Sequence, residues 1–209
     1  RASVVLVYVD GTKGWLYTNE SNVADLEAPT FHSATGGTVT THSDYKVHTF
    51  NSSGNFVVSS VGNFQSGKAD YLVVAGGGGG SSTNSGGGGA GGYRESYNSN
   101  VSGTYTASPL ATPTSLTLSA QTYPITVGAG GAGGPPGNGS GADGSNSVFS
   151  TITSTGGGHG IGDTQTTPSP GGSGGGGGGN PGGSNGIEAG QAGNTPPVSP
   201  PQGNPGGHG

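Results

Sequence analysis

Short apolar segments separated by polar turn residues occupy the first 75 positions of the chain. Ser3–Val9 is rich in β-branched and aromatic residues, and the turn pair Asp10-Gly11 follows it, which predicts a strand. Gly14–Thr18 predicts its hairpin partner. The polar segment Asn19–Ala34 predicts a connection.

Three further segments predict an antiparallel meander, because β-rich sequences are separated there by turn residues. They are Gly37–Thr41, Tyr45–Phe50 and Asn55–Ser60. Lys68–Ala75 predicts another strand, and since it is wholly apolar from Tyr71 onward, we expect it to be buried on both faces. These strands predict a small antiparallel β-sandwich or a curved sheet.

An abrupt change in composition follows at Tyr71–Gly80, where an apolar strand runs into five glycines and 43 of the 50 glycines lie beyond residue 75. Gln121–Val127 and Ser147–Thr153 also run from a predicted strand into glycines. Runs such as Gly174–Gly179 predict helices of the polyproline II type, with three residues per turn. The Pro-rich segment Asn194–Gly207 predicts a rigid edge of this region or, alternatively, a ligand for a partner.

The chain is therefore expected to be all-β, with a glycine-rich body of short strands and polyglycine-II-like helices. The predicted units are an N-terminal hairpin and linker (1–34), an antiparallel β module (35–75) and the glycine-rich body (76–209). Disorder of the body is the alternative, because Gly and Pro make up 64 of 209 residues. The recurring strands favour order. We also expect further sequence beyond both ends of the chain.

Charge and composition exclude several classes of function. The net charge of −5 provides no basic surface for nucleic acid. The absence of cysteine rules out disulfides and thiol catalysis. No Ser-His-Asp arrangement or paired-carboxylate signature is present, so we expect no catalysis and no cofactor.

Three features of the sequence suggest binding sites, but the residues in or around each of them disfavour that function. Gly62–Ala69 approximates a phosphate-binding loop, but Ala69 replaces the metal-holding Ser/Thr and a strand follows where a helix is required. Asn138–Ser145 resembles a single calcium-binding repeat, and such repeats bind calcium only when stacked, so Asp143 is expected to be a turn residue. The five histidines lack close ligand spacing and acidic neighbours, so we expect isolated histidines and no metal: His32, His42, His48, His159 and His208.

Tyr93–Tyr105 interrupts the glycines with three tyrosines, one Arg and one Glu. Aromatic and polar side chains on an exposed loop are typical of recognition surfaces. The candidate receptor-binding residues are therefore Tyr93, Arg94, Tyr97 and Tyr105. The alternative is that these tyrosines pack against the glycine-rich body.

The order of these segments resembles the glycine-rich domain of phage tail-fibre and adhesin proteins, of the marine cyanophage type, over about residues 36–209. The segments that carry the resemblance are DYKVHTFNSSGNFVV, ADYLVVAGGGGG, QTYPITVGAGGAGG, SVFSTITSTGGG and GGSGGGGGG.

The resemblance implies a viral structural protein near the host-contacting end of a fibre in the virion. It also implies a homo-oligomer, with a trimer as the expected form, other tail or fibre proteins as partners, and a host-surface receptor that is a glycan or an outer-membrane protein. The competing hypothesis is a self-assembling extracellular fibre subunit that donates its N-terminal strand to a neighbour.

Overall fold

A computed structural model describes most of the chain, and all its regular elements there are short β-strands. No α-helix occurs among the described residues, so none is long and apolar enough to span a membrane. The described residues are 6–9, 11–12, 15–17, 30–42, 45–63, 67–82, 86–99, 106–137, 139–162, 167–180 and 186–209.

The strands pair in antiparallel fashion throughout. In chain order they are β1 Leu6–Tyr8, β2 Trp15–Tyr17, β3 Ser33–Thr35, β4 Thr38–His42, β5 Tyr45–Thr49, β6 Gly54–Ser60, β7 Lys68–Ala69, β8 Leu72–Val74, β9 Tyr93–Glu95, β10 Leu116–Thr117, β11 Thr122–Thr126, β12 Ser147–Phe149, β13 Ile152–Ser154, β14 Gly179–Asn180 and β15 Gly186–Ile187. The expectation of an all-β chain is confirmed.

The N-terminal hairpin is confirmed as the pair β1–β2, with Val7 opposite Leu16. The predicted strands extend further, but residues 3–5, 14 and 18 lie outside the described part of the chain.

The largest sheet has five strands in the order β13-β12-β11-β6-β3. The buried core of this sheet consists of Val58 in β6, Tyr123 in β11 and Leu118, which lies between β10 and β11. Edge-to-face aromatic contacts add to it, with Phe149 of β12 lying 5.9 Å from Phe56 and 6.0 Å from Tyr123 between ring centroids. Strands from the predicted 35–75 module and from the glycine-rich body therefore share one sheet, while the division into units stays a prediction.

The predicted three-strand meander is wrong. β4 and β5 form their own hairpin, while β6 pairs with β3 and β11. Gly36 and Gly37 adopt positive φ values of 112° and 64°, which glycine tolerates, and they turn the chain away immediately after β3. His48 of the hairpin then packs edge-on against Phe56, with 5.0 Å between ring centroids.

Two other strand predictions need correction. Ser147–Thr153 forms two strands, β12 and β13, because the chain reverses at Ser150, where φ is 53°. β8 is buried on one face only: Val73 is 8% exposed, whereas Leu72 and Val74 are 60% and 51% exposed. The reason is that β8 packs against β12 and β13 on one side, and no described residue covers the other.

Eight glycine-rich tracts make up the rest of the body, and they lie side by side. They run between strands or turns over residues 75–81 (tract I), 86–92 (II), 128–134 (III), 141–145 (IV), 155–161 (V), 171–178 (VI), 188–194 (VII) and 203–209 (VIII).

Backbone hydrogen bonds join neighbouring tracts at every third residue. In tract I the amides of Gly76 and Gly79 donate to tract IV at 3.0 and 2.8 Å, and the amides of Ala75 and Gly78 donate to tract II at 3.0 and 2.8 Å. Its carbonyls accept from tracts III and V with the same spacing. Each turn of tract I is thus bonded to four neighbours, and these bonds offset the entropy that ordering glycine costs.

The tracts leave no room for side chains where they touch. A Cβ added to Gly79 would overlap the carbonyl of Ala132 in tract III, and one added to Gly78 would overlap Gly158 in tract V. Tract III has fewer neighbours and carries exposed alanines at every third position, Ala129 and Ala132. Glycine is thus required at the positions where a tract touches a neighbour, and alanine is accommodated where the side chain faces away.

The Pro-rich C-terminal segment is hydrogen-bonded to the glycine-rich body, while its rigidity and the alternative of a partner ligand stay predictions. The Asn194 side chain accepts hydrogen bonds from the amides of Val198 and Gln202 at 3.1 and 3.2 Å. The Gln202 side chain is 2% exposed and accepts from the amide of Thr155 at 2.9 Å, which fixes this segment to tract V.

Candidate functional site

Three of the four candidate receptor-binding residues lie at the end of tract II, where the glycines give way to β9. Tyr93 and Arg94 belong to β9, which pairs with β8, and the Tyr93 amide donates to the Gln202 carbonyl at 2.9 Å. The expectation that this stretch is a loop is therefore wrong for Tyr93–Glu95, because its backbone is bonded on both sides.

The Tyr93 hydroxyl binds a buried carboxylate. It donates to Glu95 Oε2 at 2.7 Å, and the Ser108 amide donates to the same oxygen at 3.2 Å. Glu95 is only 9% exposed, and a buried carboxylate is costly unless hydrogen bonds compensate it. Tyr93 thus has a structural role, whatever else it contacts.

Arg94 is the only Lys or Arg beyond residue 75. Its Nη1 donates to the Thr153 carbonyl at 3.4 Å, at the edge of β13. Burial raises the pKa of the nearby Tyr71 hydroxyl; Arg94 lowers it and the Asp70 carboxylate raises it. The Tyr71 hydroxyl therefore stays protonated at neutral pH, and the site presents one cation beside neutral hydroxyl groups.

Tyr97 is half-buried, and its amide donates to the Thr112 carbonyl at 2.8 Å. Tyr105 lies outside the described residues. The structure thus brings Tyr93, Arg94 and Tyr97 into one segment that antiparallel pairing and a bridge to Thr112 hold in place.

A buried polar cluster beneath this segment is not evident from the sequence. Asp70 Oδ1 accepts from the hydroxyls of Ser96 and Ser115, both at 2.7 Å, and Ser96 is fully buried. The Ser96 hydroxyl also accepts from the Tyr71 amide at 3.1 Å. These three polar residues stand 26 and 19 positions apart, and no local pattern brings them together.

The exposed residues beside the tyrosines are apolar. Leu72 and Val74 of β8 lie next to β9, and Leu110 is 41% exposed in the segment that leads to Thr112. Aromatic, apolar and cationic groups on one surface suit binding of a protein or a glycan rather than a chemical reaction.

The other motifs give no catalytic or metal site among the residues that the structure describes. Lys68 and Ala69 form β7, and Lys68 Nζ donates to Thr117 Oγ1 at 2.6 Å, so a strand stands where a phosphate loop needs a helix. No cluster of three potential metal ligands is found in the described ranges.

The expectation of isolated histidines is wrong for His159. Its amide and its Nδ1 lie 2.9 and 2.7 Å from Asp143 Oδ1, so hydrogen bonds to this carboxylate join tracts IV and V. Burial would raise the pKa of Asp143, but hydrogen bonds from the His159 amide and ring and from the Ser169 hydroxyl together lower it. Asp143 is a link between tracts and not only a turn residue.

The strands and tracts define an all-β, glycine-rich protein. The chain belongs to the glycine-rich domain family, whose model matches residues 49–209. No curated protein and no solved structure matches the chain.

Proposed function

We propose that the protein is a viral structural protein, a tail-fibre or adhesin component of the virion that takes part in host attachment without catalysis. The observation that carries the proposal is the glycine-rich body itself. Its tracts are bonded backbone to backbone on several sides, which makes a stiff unit with very few side chains. Such a body suits a mechanical role, and its resemblance to phage tail-fibre sequences suggests which one.

The tracts are proposed to be polyglycine-II helices packed in layers. The support is the three-residue period of the hydrogen bonds, since helices of this type have three residues per turn. Close approach of the tracts requires glycine at the contacting positions, and added Cβ atoms there would overlap neighbouring carbonyls.

Host contact is proposed to involve Tyr93, Arg94, Tyr97 and Tyr105, with a glycan or an outer-membrane protein as receptor. Glycine offers only backbone groups to a receptor, whereas tyrosine provides a large rigid face at low entropic cost. The exposed Leu72 and Val74 enlarge the same surface.

Assembly is proposed to be a homo-oligomer, a trimer by the resemblance, that joins other tail or fibre proteins. Val7, Tyr8 and Val9 are between 46% and 53% exposed on the N-terminal hairpin. A two-stranded hairpin with exposed apolar residues is marginal alone and tends to pair with another chain.

The test is to locate the protein. Particles of the virus that encodes the chain would be purified, digested for mass spectrometry and labelled with gold-conjugated antibody. The proposal expects the protein in the particles, gold at the fibres and antibody that blocks adsorption to host cells. Absence from particles contradicts it.

The second candidate is the self-assembling extracellular fibre subunit, favoured by the same exposed strand β1. It predicts that purified protein alone grows into long fibres and that deletion of residues 1–20 stops growth. A closed oligomer of fixed mass contradicts it.

A further inference from the structure

A groove of about 690 Å³ runs along the glycine-rich body between tracts II and VIII, and tract VI forms its floor. Its lining is almost entirely glycine backbone, with Ser173, Asn204, Pro205 and His208 as the side-chain contributors. No Lys, Arg, Asp or Glu lines it.

Tract VI is bonded to both walls of the groove. The Gly176 amide donates to the Gly87 carbonyl of tract II at 2.9 Å, and the Gly177 amide donates to the Gly207 carbonyl of tract VIII at 2.9 Å. No backbone hydrogen bond joins tract II to tract VIII within the described ranges. The two walls therefore stand apart on either side of tract VI.

The carbonyls of tract VI determine which hydrogen-bond acceptors the floor of the groove presents. In a chain with three residues per turn, successive carbonyls point about 120° apart. The carbonyls of Gly175 and Gly178 accept from tract VII, and that of Ser173 accepts from tract V. The carbonyls of Gly174 and Gly177 point in the third of these directions.

Gly174 and Gly177 are buried residues that line the groove. Their carbonyls accept no hydrogen bond from any described residue. Because the amides of Gly176 and Gly177 point to the two walls, the remaining carbonyl direction lies between those walls. The floor of the groove thus offers hydrogen-bond acceptors at every third residue.

The two walls of the groove, tracts II and VIII, present backbone amides as hydrogen-bond donors. The amides of Gly87, Gly88 and Gly207 bond to no described residue. A Cβ added to Gly87 or Gly207 would meet no atom of a described residue within 4 Å, so none of the described residues covers either wall there.

We propose that this groove binds an extended glycine-rich segment of a second polypeptide chain. Such a segment would donate to the floor carbonyls and accept from the wall amides, which continues the bonding that already joins the tracts. It is the counterpart, for these tracts, of adding a strand to a sheet edge. The contact rests on the described hydrogen bonds and does not depend on a viral role.

The segment is expected to be uncharged, with glycine at two of every three positions and a small residue at the third. Tract III has this pattern, GAGGAGG. Among the described residues, its backbone hydrogen bonds join it to tracts I and IV. Glycine is needed at the two positions that face tracts, and the third faces solvent.

The test uses the full chain, labelled with ¹⁵N, and a synthetic peptide that contains two copies of GAGGAGG. The amide signals of Gly87, Gly88 and Gly207 should shift on titration, with a Kd below about 1 mM. A control peptide in which valine replaces one of the two glycines in every three residues, at the positions that face the tracts, should bind at least tenfold more weakly.

Two variants locate the contact. Gly87→Gln and Gly207→Gln place side chains over the groove, and both should keep the melting temperature within about 2 °C. Each should weaken peptide binding at least tenfold. The matched control is Gly133→Gln, on exposed tract III, where an added Cβ meets nothing closer than 3.8 Å; it should bind the peptide as the unaltered chain does.

No binding of the glycine peptide overturns the proposal. So does binding that shifts signals away from the groove, or that Gly87→Gln and Gly207→Gln leave unchanged.

Discussion

A Cβ added to Gly177 would overlap the carbonyl oxygen of Glu188, whereas one added to Gly87 would meet no atom of a described residue within 4 Å. Both residues stand in unbroken glycine runs, so the sequence cannot tell them apart. Their difference arises from which neighbouring tract each one faces, and only the three-dimensional packing determines that.

The first prediction compares these two glycines. Gly177→Ala should lower the free energy of unfolding by about 2 kcal/mol, because the backbone must shift to relieve the overlap. Gly87→Ala should leave it unchanged or raise it by about 0.5 kcal/mol, since alanine restricts the unfolded chain. Chemical denaturation measures both, and equal destabilisation would disprove the packing of tract VI against tract VII.

The second prediction concerns Asp143, whose pKa is lowered in the folded state. A carboxylate with a lowered folded pKa stabilises the fold above its unfolded pKa, near 3.9, and loses that contribution as pH falls through the folded value. Asp143→Asn should therefore lower the free energy of unfolding at pH 7 by less than about 1 kcal/mol, because the Asp143 side chain is 53% exposed and solvent weakens the interaction.

The difference between Asp143→Asn and the unaltered chain should shrink below about pH 4. Thermal melts across pH 2–7 measure this difference, and Ser145→Ala, at an exposed uncharged residue of the same tract, is the control. A difference that stays constant with pH would show that ionisation of Asp143 contributes nothing to stability.

At the scale of elements, the sequence predicts where strands lie better than which strands pair. Alternating polarity and turn residues place β5, β6 and β11 nearly as observed. The pairing of β6 with β11 joins residues more than 60 positions apart, at Phe56 and Tyr123 for example. It depends on burial of aromatic rings, which local patterns do not encode.

The candidate recognition segment illustrates the same limit. Its composition marks Tyr93–Tyr105 as unusual, but nothing local shows that Tyr93 bonds to Glu95 or that Asp70 lies beneath Ser96. Substituting Tyr93 by alanine would leave a buried carboxylate with one hydrogen bond fewer, at a cost of about 1–3 kcal/mol. Tyr97 and Arg94 are therefore the better probes of recognition.

The third prediction is that Arg94→Ala with Tyr97→Ala weakens attachment to host cells at least tenfold, or about 1.4 kcal/mol. Loss of a cation and an aromatic face from one surface is the physical reason. Competition of purified protein with virus for host cells measures it. Tyr45→Ala, on the exposed face of β5, is the control and should compete normally; full competition by the double variant would place the contact elsewhere.

At the scale of the whole molecule, the exposed apolar residues of β1 predict assembly. The fourth prediction is that the full chain forms a homo-oligomer, expected to be a trimer, at micromolar concentration. Val7→Lys should dissociate it, because a charge on the pairing strand opposes strand addition. Light scattering measures the mass, and a monodisperse monomer of the unaltered chain would refute the prediction.

Order in the glycine-rich body is the other property of the whole molecule. Its composition lies near that of disordered chains, and in the sequence only the recurring strands favour order. The structure adds the reason: tracts far apart in sequence satisfy one another's backbone groups at every third residue. Composition cannot reveal this, because a disordered chain could contain the same glycines.

Hydrogen exchange of the amides of tract VI therefore tests most directly whether backbone bonding orders the body. The amides of Gly174, Gly176 and Gly177 donate to tracts VIII and II, so they should exchange at least about a hundredfold more slowly than in an unfolded peptide. The amide of Gly87, which bonds to no described residue, should exchange rapidly in the same sample. Random-coil rates at Gly174, Gly176 and Gly177 would contradict a packed glycine-rich body.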